Sequence, residues 1–174
     1  MTPFLDGALR WIYPSGPPPE CPRCGYDWSI DPRDACDVIA ATPDRLERVL
    51  SEGDGMVPQA DGSWNATAYL WHLADLASSW SERWVQIEAM PGSRLVGWDP
   101  DELADVRNYR SLPTPPALWA LRAAVEAFTG LSATMDLDTS FEHGDWGQGD
   151  VGDGLRWLGH EFHHHTRDVI ARVG

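Results

Sequence analysis

The sequence predicts an all-α protein built as a four-helix bundle, and three observations carry that reading. Apolar residues recur at helical spacing in four long segments, no segment alternates convincingly at the period of a strand, and one long connection separates the second helical segment from the third. The chain has 174 residues, a length at which one core buries roughly 70% of the surface of the unfolded chain. The expected organisation is an irregular N-terminal arm over residues 1–30 and a single bundle over residues 31–174.

The arm is rich in Pro, Gly and aromatics, as in Tyr13-Pro14-Ser15-Gly16-Pro17-Pro18-Pro19, a composition that resists regular structure. It is expected to lie across the body. Asp31-Pro32 supplies an N-cap and a Pro at the first helical position, opening a helix to about Glu52. Pro43 falls inside it and predicts a kink or restart, with Thr42 as the cap of the second piece. Asn65 caps the second helix, which carries Tyr69, Leu73, Leu76, Trp80, Trp84 and Ile87 at helical spacing to about Ala89. Pro91-Gly92 ends it. Residues 93–113 form the long connection, with one short helix around Asp101 to Arg107. From Pro115 the positions Leu118, Leu121, Val125, Phe128 and Met135 repeat as the stripe of a third helix. A Gly-rich loop spans Gly144 to Gly154, and a last helix from about Val151 to Val173 shows Leu155, Leu158, Phe162, Val169 and Val173 on one face. The tryptophans at 80, 84 and 119 are assigned to core volume.

Composition excludes several chemistries. The 13 basic residues are all Arg, against 27 acidic ones, for a formal net charge of −14. Such a balance disfavours nucleic acid and anionic membrane surfaces, which require clustered positive charge. Without lysine, neither a Schiff-base mechanism nor a Walker P-loop can be built. No run approaches the length of a membrane span, and Met1 to Trp11 lacks the pattern of a secretory signal. A cytoplasmic location is the expectation. Three cysteines, two of them in Cys21-Pro22-Arg23-Cys24, do not describe a secreted disulfide framework.

Five of the six histidines fall on two of these helices: His72 on the second, and His160, His163, His164 and His165 on the fourth. His160 and His164 are one helical turn apart on one face, so their rings can converge on one ion. His72 completes a three-histidine set if the second and fourth helices are neighbours, with open positions left for water or substrate. A solvated histidine-rich face is the competing reading. On a helical wheel His160 and His164 point away from Leu155, Phe162 and Val169, which calls for a second covered side, expected against a partner subunit in a homodimer.

The segment Trp64-Asn65-Ala66-Thr67-Ala68-Tyr69-Leu70-Trp71-His72-Leu73-Ala74-Asp75, the later Trp98-Asp99, and Leu158-Gly159-His160-Glu161-Phe162-His163-His164 resemble the DinB/YfiT-like superfamily of metal-binding four-helix bundles. Cys21-Pro22-Arg23-Cys24-Gly25-Tyr26-Asp27 resembles the N-terminal arm of an actinobacterial branch. The resemblance implies one metal-ligand histidine on the second helix and an H-x-x-x-H pair on the fourth, which here fall on His72, His160 and His164. It also implies a divalent ion, zinc first and nickel or iron as alternatives, and a low-molecular-weight thiol cosubstrate of the kind used by mycothiol-dependent isomerases and S-transferases. The expected activity is therefore a metal-dependent transferase or isomerase on a small-molecule substrate. A metallohydrolase with Glu161 of His160-Glu161-Phe162-His163-His164 as general base is the alternative, and a non-enzymatic metal-binding or stress-related protein is another.

Around that site, Asp75 and Asp168 are assigned to orienting ligand imidazoles through their free N–H groups. Arg83, three helical turns after His72, is assigned to a substrate carboxylate, with a surface ion pair as its competing reading. His143, His163 and His165 are assigned to loop, supporting or surface roles. Cys21 and Cys24 are a candidate second metal site or redox pair, completed by Cys36 or a histidine, against two reduced thiols at a tight turn.

Overall fold

A computed structural model describes residues 18–173. The arm's residues 1–17, with most of the Pro-rich stretch, lie outside the described residues. The four long helices are α1 (Pro32–Leu50), α2 (Ala66–Ala89), α4 (Thr114–Ser132) and α5 (Val151–Arg172), with a short α3 (Pro100–Val106) and a 3-10 turn (Tyr109–Ser111) in the connection. The expected caps are present. Asp31 accepts from the Arg33 amide at 2.8 Å and Asn65 from the Ala68 amide at 2.8 Å. Asp150 and Asp153 form a reciprocal capping box at the start of α5.

Pro43 does not break α1, which runs through it as one helix. Thr42 is no cap: its hydroxyl donates to the Val38 carbonyl at 2.9 Å, one turn back. Ile39, Pro43 and Leu46 are buried on the face packed inward, and that burial outweighs the one backbone bond a proline forfeits. α2 packs on α4 and α5, and α1 packs on α5 and α4, so α1 and α2 face each other across a diagonal. The α2–α5 contact sets His72 against the histidine-rich helix.

The core centres on Trp80, Trp84, Phe128 and Phe141, all fully buried. Trp84 Nε1–H donates to Ser132 Oγ at 2.9 Å, so its one polar group is satisfied without water. Gly154 on α5 meets this indole pair directly, since a Cβ there would lie 2.6 Å from Trp84 Cη2 and 3.3 Å from Trp80 Cζ3. Trp119 departs from its expected core role. It is 74% exposed on the outer face of α4, while Ala117, Leu121 and Ala124 turn inward.

A small sheet adds to the bundle: β1 (Arg94–Leu95), β2 (Ser140–His143) and β3 (Gly147–Asp150), in the order β1-β2-β3. β2 runs parallel to β1, with Leu95 beside His143, and antiparallel to β3. The strand signal in Ser140-Phe141-Glu142-His143 is too short to read as a strand in isolation, yet alternation is there: Phe141 and His143 are buried, Ser140 and Glu142 exposed. No helix among the described residues is long and apolar enough to cross a membrane.

Two predictions arise from this packing. Gly154→Ala gains about 1 kcal/mol of helix propensity but forces a methyl onto rigid buried indoles, at a cost of roughly 1–3 kcal/mol. Thermal unfolding should show a net loss, and a variant as stable as the parent would contradict the close approach of α5 to Trp84. The second concerns His143, buried and stacked on Trp146 with ring centroids 4.1 Å apart. Burial, aided by the charge of Arg83 and opposed by Asp145, pulls its pKa down to about 4. The unfolded chain takes up this proton near its ordinary pKa of about 6.5, so the stabilisation is full above that pH and is lost as pH falls towards about 4. His143→Phe, which keeps a ring on Trp146 but does not titrate, should gain relative to the parent in Tm as pH drops through this window. A Tm difference that stays constant with pH would refute the assignment.

Candidate metal centre

The histidine-rich face of α5 divides into two groups one residue out of step with each other. His72, Glu161 and His165 bring one ligand atom each within 4.8 Å of one another, and Cys21, Cys24, His160 and His164 do the same separately. The expected set of His72 with His160 and His164 is therefore not the one that the structure brings together.

The helical period explains the division. With 100° per residue, His165 and Glu161 lie on the flank of the apolar stripe of Leu158, Phe162 and Val169, whereas His160 and His164 point about half a turn away from it. α2 packs beside the stripe, so His72 meets the flank. The second face of α5 is covered by the chain's own arm: Tyr26 OH donates to the Arg156 carbonyl at 2.8 Å, and Trp28 lies over His160 at 4.3 Å between ring centroids. The arm thus takes the place expected for a partner subunit. The available signal was the E-x-x-x-H spacing of Glu161 and His165, which repeats the H-x-x-x-H spacing one residue later and lies nearer the core.

In the first group, the rings of His72 and His165 stand 5.0 Å apart and nearly perpendicular. His72 Nδ1 is buried with no hydrogen-bond partner. Burial, together with the nearby His165, pulls the His72 pKa down to about 3 against the pull of Glu161, so the ring is neutral at neutral pH. His165 Nδ1 lies 2.9 Å from Asp168 Oδ2, and its Nε2 lies 3.6 Å from Glu161 Oε2. Burial opposes charge on His165, but the two carboxylates outweigh it and raise its pKa. Glu161 responds in the opposite sense: burial is overcome by His160 and His165, which hold its carboxyl well below the usual range. Asp168 thus lies against imidazoles, most closely that of His165, which was not among the expected ligands.

In the second group, His160 Nδ1 lies 3.0 Å from Glu161 Oε1, and its Nε2 is buried without a hydrogen-bond partner. His164 Nδ1 lies 3.8 Å from Cys21 Sγ, while its Nε2 is 3.7 Å from Asp168 Oδ2. Glu161 and Asp168 therefore each touch one imidazole of either group. Cys36 is in neither group.

Asp75, the other expected orienting carboxylate, is engaged by Arg107 and by the Tyr109 hydroxyl and reaches no imidazole of either group. Its position near the middle of α2 is on the side facing the long connection rather than α5. Arg83 lines a cavity of about 880 Å³ together with His72, Glu161, His143, Trp80 and Trp98. Its guanidinium donates to the Val96 carbonyl at 2.7 Å and stacks 4.9 Å over Trp80, and no carboxylate among the described residues forms an ion pair with it. Burial lowers its pKa to about 10, which leaves it charged at neutral pH.

No family model matches the sequence, and no curated protein matches it. Among solved structures, the chain is similar to YfiT from Bacillus subtilis, described as a probable metal-dependent hydrolase with an unusual four-helix bundle topology. The superposition has a TM-score of 0.68 and 18% sequence identity, and covers 81% of this chain and 86% of that one. At that coverage the match takes in most of both chains, so this protein has the four-helix-bundle fold of YfiT, the fold that the resemblance to the DinB/YfiT-like superfamily implied.

Proposed function

We propose that the chain is a metal-dependent transferase or isomerase, with a divalent ion held by His72, Glu161 and His165 and a low-molecular-weight thiol as cosubstrate. One observation carries the reading: three donors from α2 and α5 converge beside a cavity that also holds a half-buried cation, Arg83, with no carboxylate partner among the described residues. Two imidazoles and a carboxylate suit zinc, nickel or iron, and the unpartnered buried nitrogen of His72 fits a site whose remaining partner is an ion. When bound, such an ion lowers the pKa of a coordinated thiol or water and so supplies a nucleophile at neutral pH.

The chain's own residues prepare the rest. Burial keeps His72 neutral, so it offers a lone pair without first losing a proton. Asp168 fixes the tautomer and angle of His165 through its Nδ1–H, the usual way a carboxylate supports a ligand imidazole. Arg83 stands eleven residues beyond His72 on α2, about 16 Å along the helix, a separation suited to an anionic group at the far end of a substrate. The cavity, at about 880 Å³, is on the scale that holds a drug-sized ligand, far more than the roughly 30 Å³ of a water molecule. That room favours two organic substrates.

A hydrolytic reading, in which water takes the place of the thiol, is favoured by the description of YfiT. It would not use Glu161 as a free general base, because one oxygen is bonded to His160 and the other faces His165.

Protein purified without nickel affinity, analysed for metals and screened for thiol-dependent turnover of electrophilic acids, tests the proposal. His72→Ala and His165→Ala should each lower turnover by at least about 100-fold. Arg83→Gln should raise KM for anionic acceptors roughly tenfold, about 1.4 kcal/mol, with kcat nearly unchanged. Turnover that needs no thiol would replace this reading with the hydrolytic one, and full activity in both histidine variants would remove the site.

A further inference from the structure

Four donors on the other face of α5 are left over by that reaction. Cys21 and Cys24 come from the arm, His160 and His164 from the helix, and their ligand atoms all lie within 4.8 Å of one another. We propose that these four residues form a second, closed metal site, a tetrahedral zinc that fastens the arm to α5. This inference does not depend on the reading of the first site.

Both spacings match the ligand pattern of structural zinc, C-x2-C with H-x3-H. The arm is already shaped as a knuckle around the thiols. The Gly25 amide donates to the Cys21 carbonyl at 2.7 Å and the Cys21 amide to the Tyr26 carbonyl at 2.8 Å. Gly25 sits at φ +74°, a conformation that glycine takes without strain. His163 Nε2–H donates to the Cys24 carbonyl at 3.0 Å, and Arg167 donates to the same oxygen at 3.2 Å. The helix therefore grips the knuckle by its backbone as well as facing its sulfurs. At Gly159 a Cβ would stand 2.5 Å from Tyr26 Oη, so the missing side chain is what lets the arm approach.

The surroundings are those of a structural site. None of the four residues lines the large cavity, which leaves no open position for substrate. The second ring nitrogens of His160 and His164 face Glu161 and Asp168, the partners that orient ligand imidazoles. A disulfide between the cysteines would leave His160 Nε2 buried without a partner, whereas an ion satisfies it together with the sulfurs. On binding, the two thiols and any protonated imidazole of the four release their protons to solvent. Two thiolates and two neutral imidazoles around Zn²⁺ then give a net charge of zero, suited to a buried position. No electron transfer is involved.

The test uses the full chain, purified under reducing conditions, stripped of metal and titrated with Co²⁺ and then with Zn²⁺. The parent should bind cobalt with an intense thiolate-to-cobalt charge-transfer band in the near ultraviolet, which zinc then abolishes. Cys21→Ser/Cys24→Ser should lose the band and bind one ion fewer per chain, Cys36→Ser should retain it, and His72→Ala/His165→Ala should retain it while losing the other ion. Zinc should also slow proteolysis of the arm in the parent about tenfold, and should not do so in the double Ser variant. A parent without the band, or a band that survives in the double Ser variant, overturns the site. Should that variant fail to fold, the parent spectrum and the Cys36→Ser spectrum decide between them. Loss of the band in the His72/His165 variant would show that the thiolates belong to the first group, and would refute the division into two sites.

Discussion

Glu161 is the residue on which the arrangement of the polar side of this bundle depends. One of its oxygens meets His160 at 3.0 Å and the other faces His165 at 3.6 Å, so a single carboxylate spans both imidazole groups. Asp168, two turns further on, also touches both groups, but through the single oxygen Oδ2, which lies near His164 and His165. An ionised carboxylate in a partly buried place is tolerable only when its oxygens are matched by donors, and here the donors are the histidines, joined at Asp168 by Arg172. The histidines in turn need a fixed tautomer to present a particular nitrogen. Each requirement answers the other, and the outcome is a helix whose polar residues are locked in angle before any ion arrives.

The apolar side supplies the stiffness that such a lock needs. Trp80 and Trp84 from α2, Phe128 from α4 and Phe141 from β2 fill the interior, and Gly154 lets α5 settle against the indoles. A helix held this closely cannot turn about its axis without opening a cavity, at a cost of several kcal/mol for side chains of this size. The positions of Glu161 and His165 relative to His72 are set by tryptophans more than a turn away.

The helices were legible in the sequence because caps and apolar periodicity are local signals: Asp31-Pro32, Asn65 and the stripe of Leu155, Leu158 and Phe162 mark them without reference to anything distant. The long crossover was legible too, whereas the pairing of α2 with α5 entered only as a condition on the three-histidine set. The grouping of the histidines was less legible. His160, His164 and His165 are alike in type and nearly alike in position, and which of them meets His72 turns on a 100° rotation that only the packed stripe fixes. Cys21 and Cys24 were visible as a motif, but their partners lie on α5, well over a hundred residues away, and no local rule connects the two. Pro43 and Trp119 show the converse, where a firm local expectation yields to context: burial carries α1 through the proline, and small residues take the inward face of α4.

The parallel pairing of β1 with β2 carries a further consequence, one of timing. Leu95 and His143 stand side by side, yet the chain between them includes α3, the 3-10 turn and all of α4. That contact closes a long loop, whose entropic cost is met only after the intervening helices have docked. The wall of the cavity formed by Gly97, His143, Asp145 and Trp146 is therefore among the last parts of the molecule to assemble. By the same argument it is among the first to come apart when the native state fluctuates, while the helices that hold the histidines stay closed. Any molecule that occupies the cavity would enter through the part of the fold that is completed last.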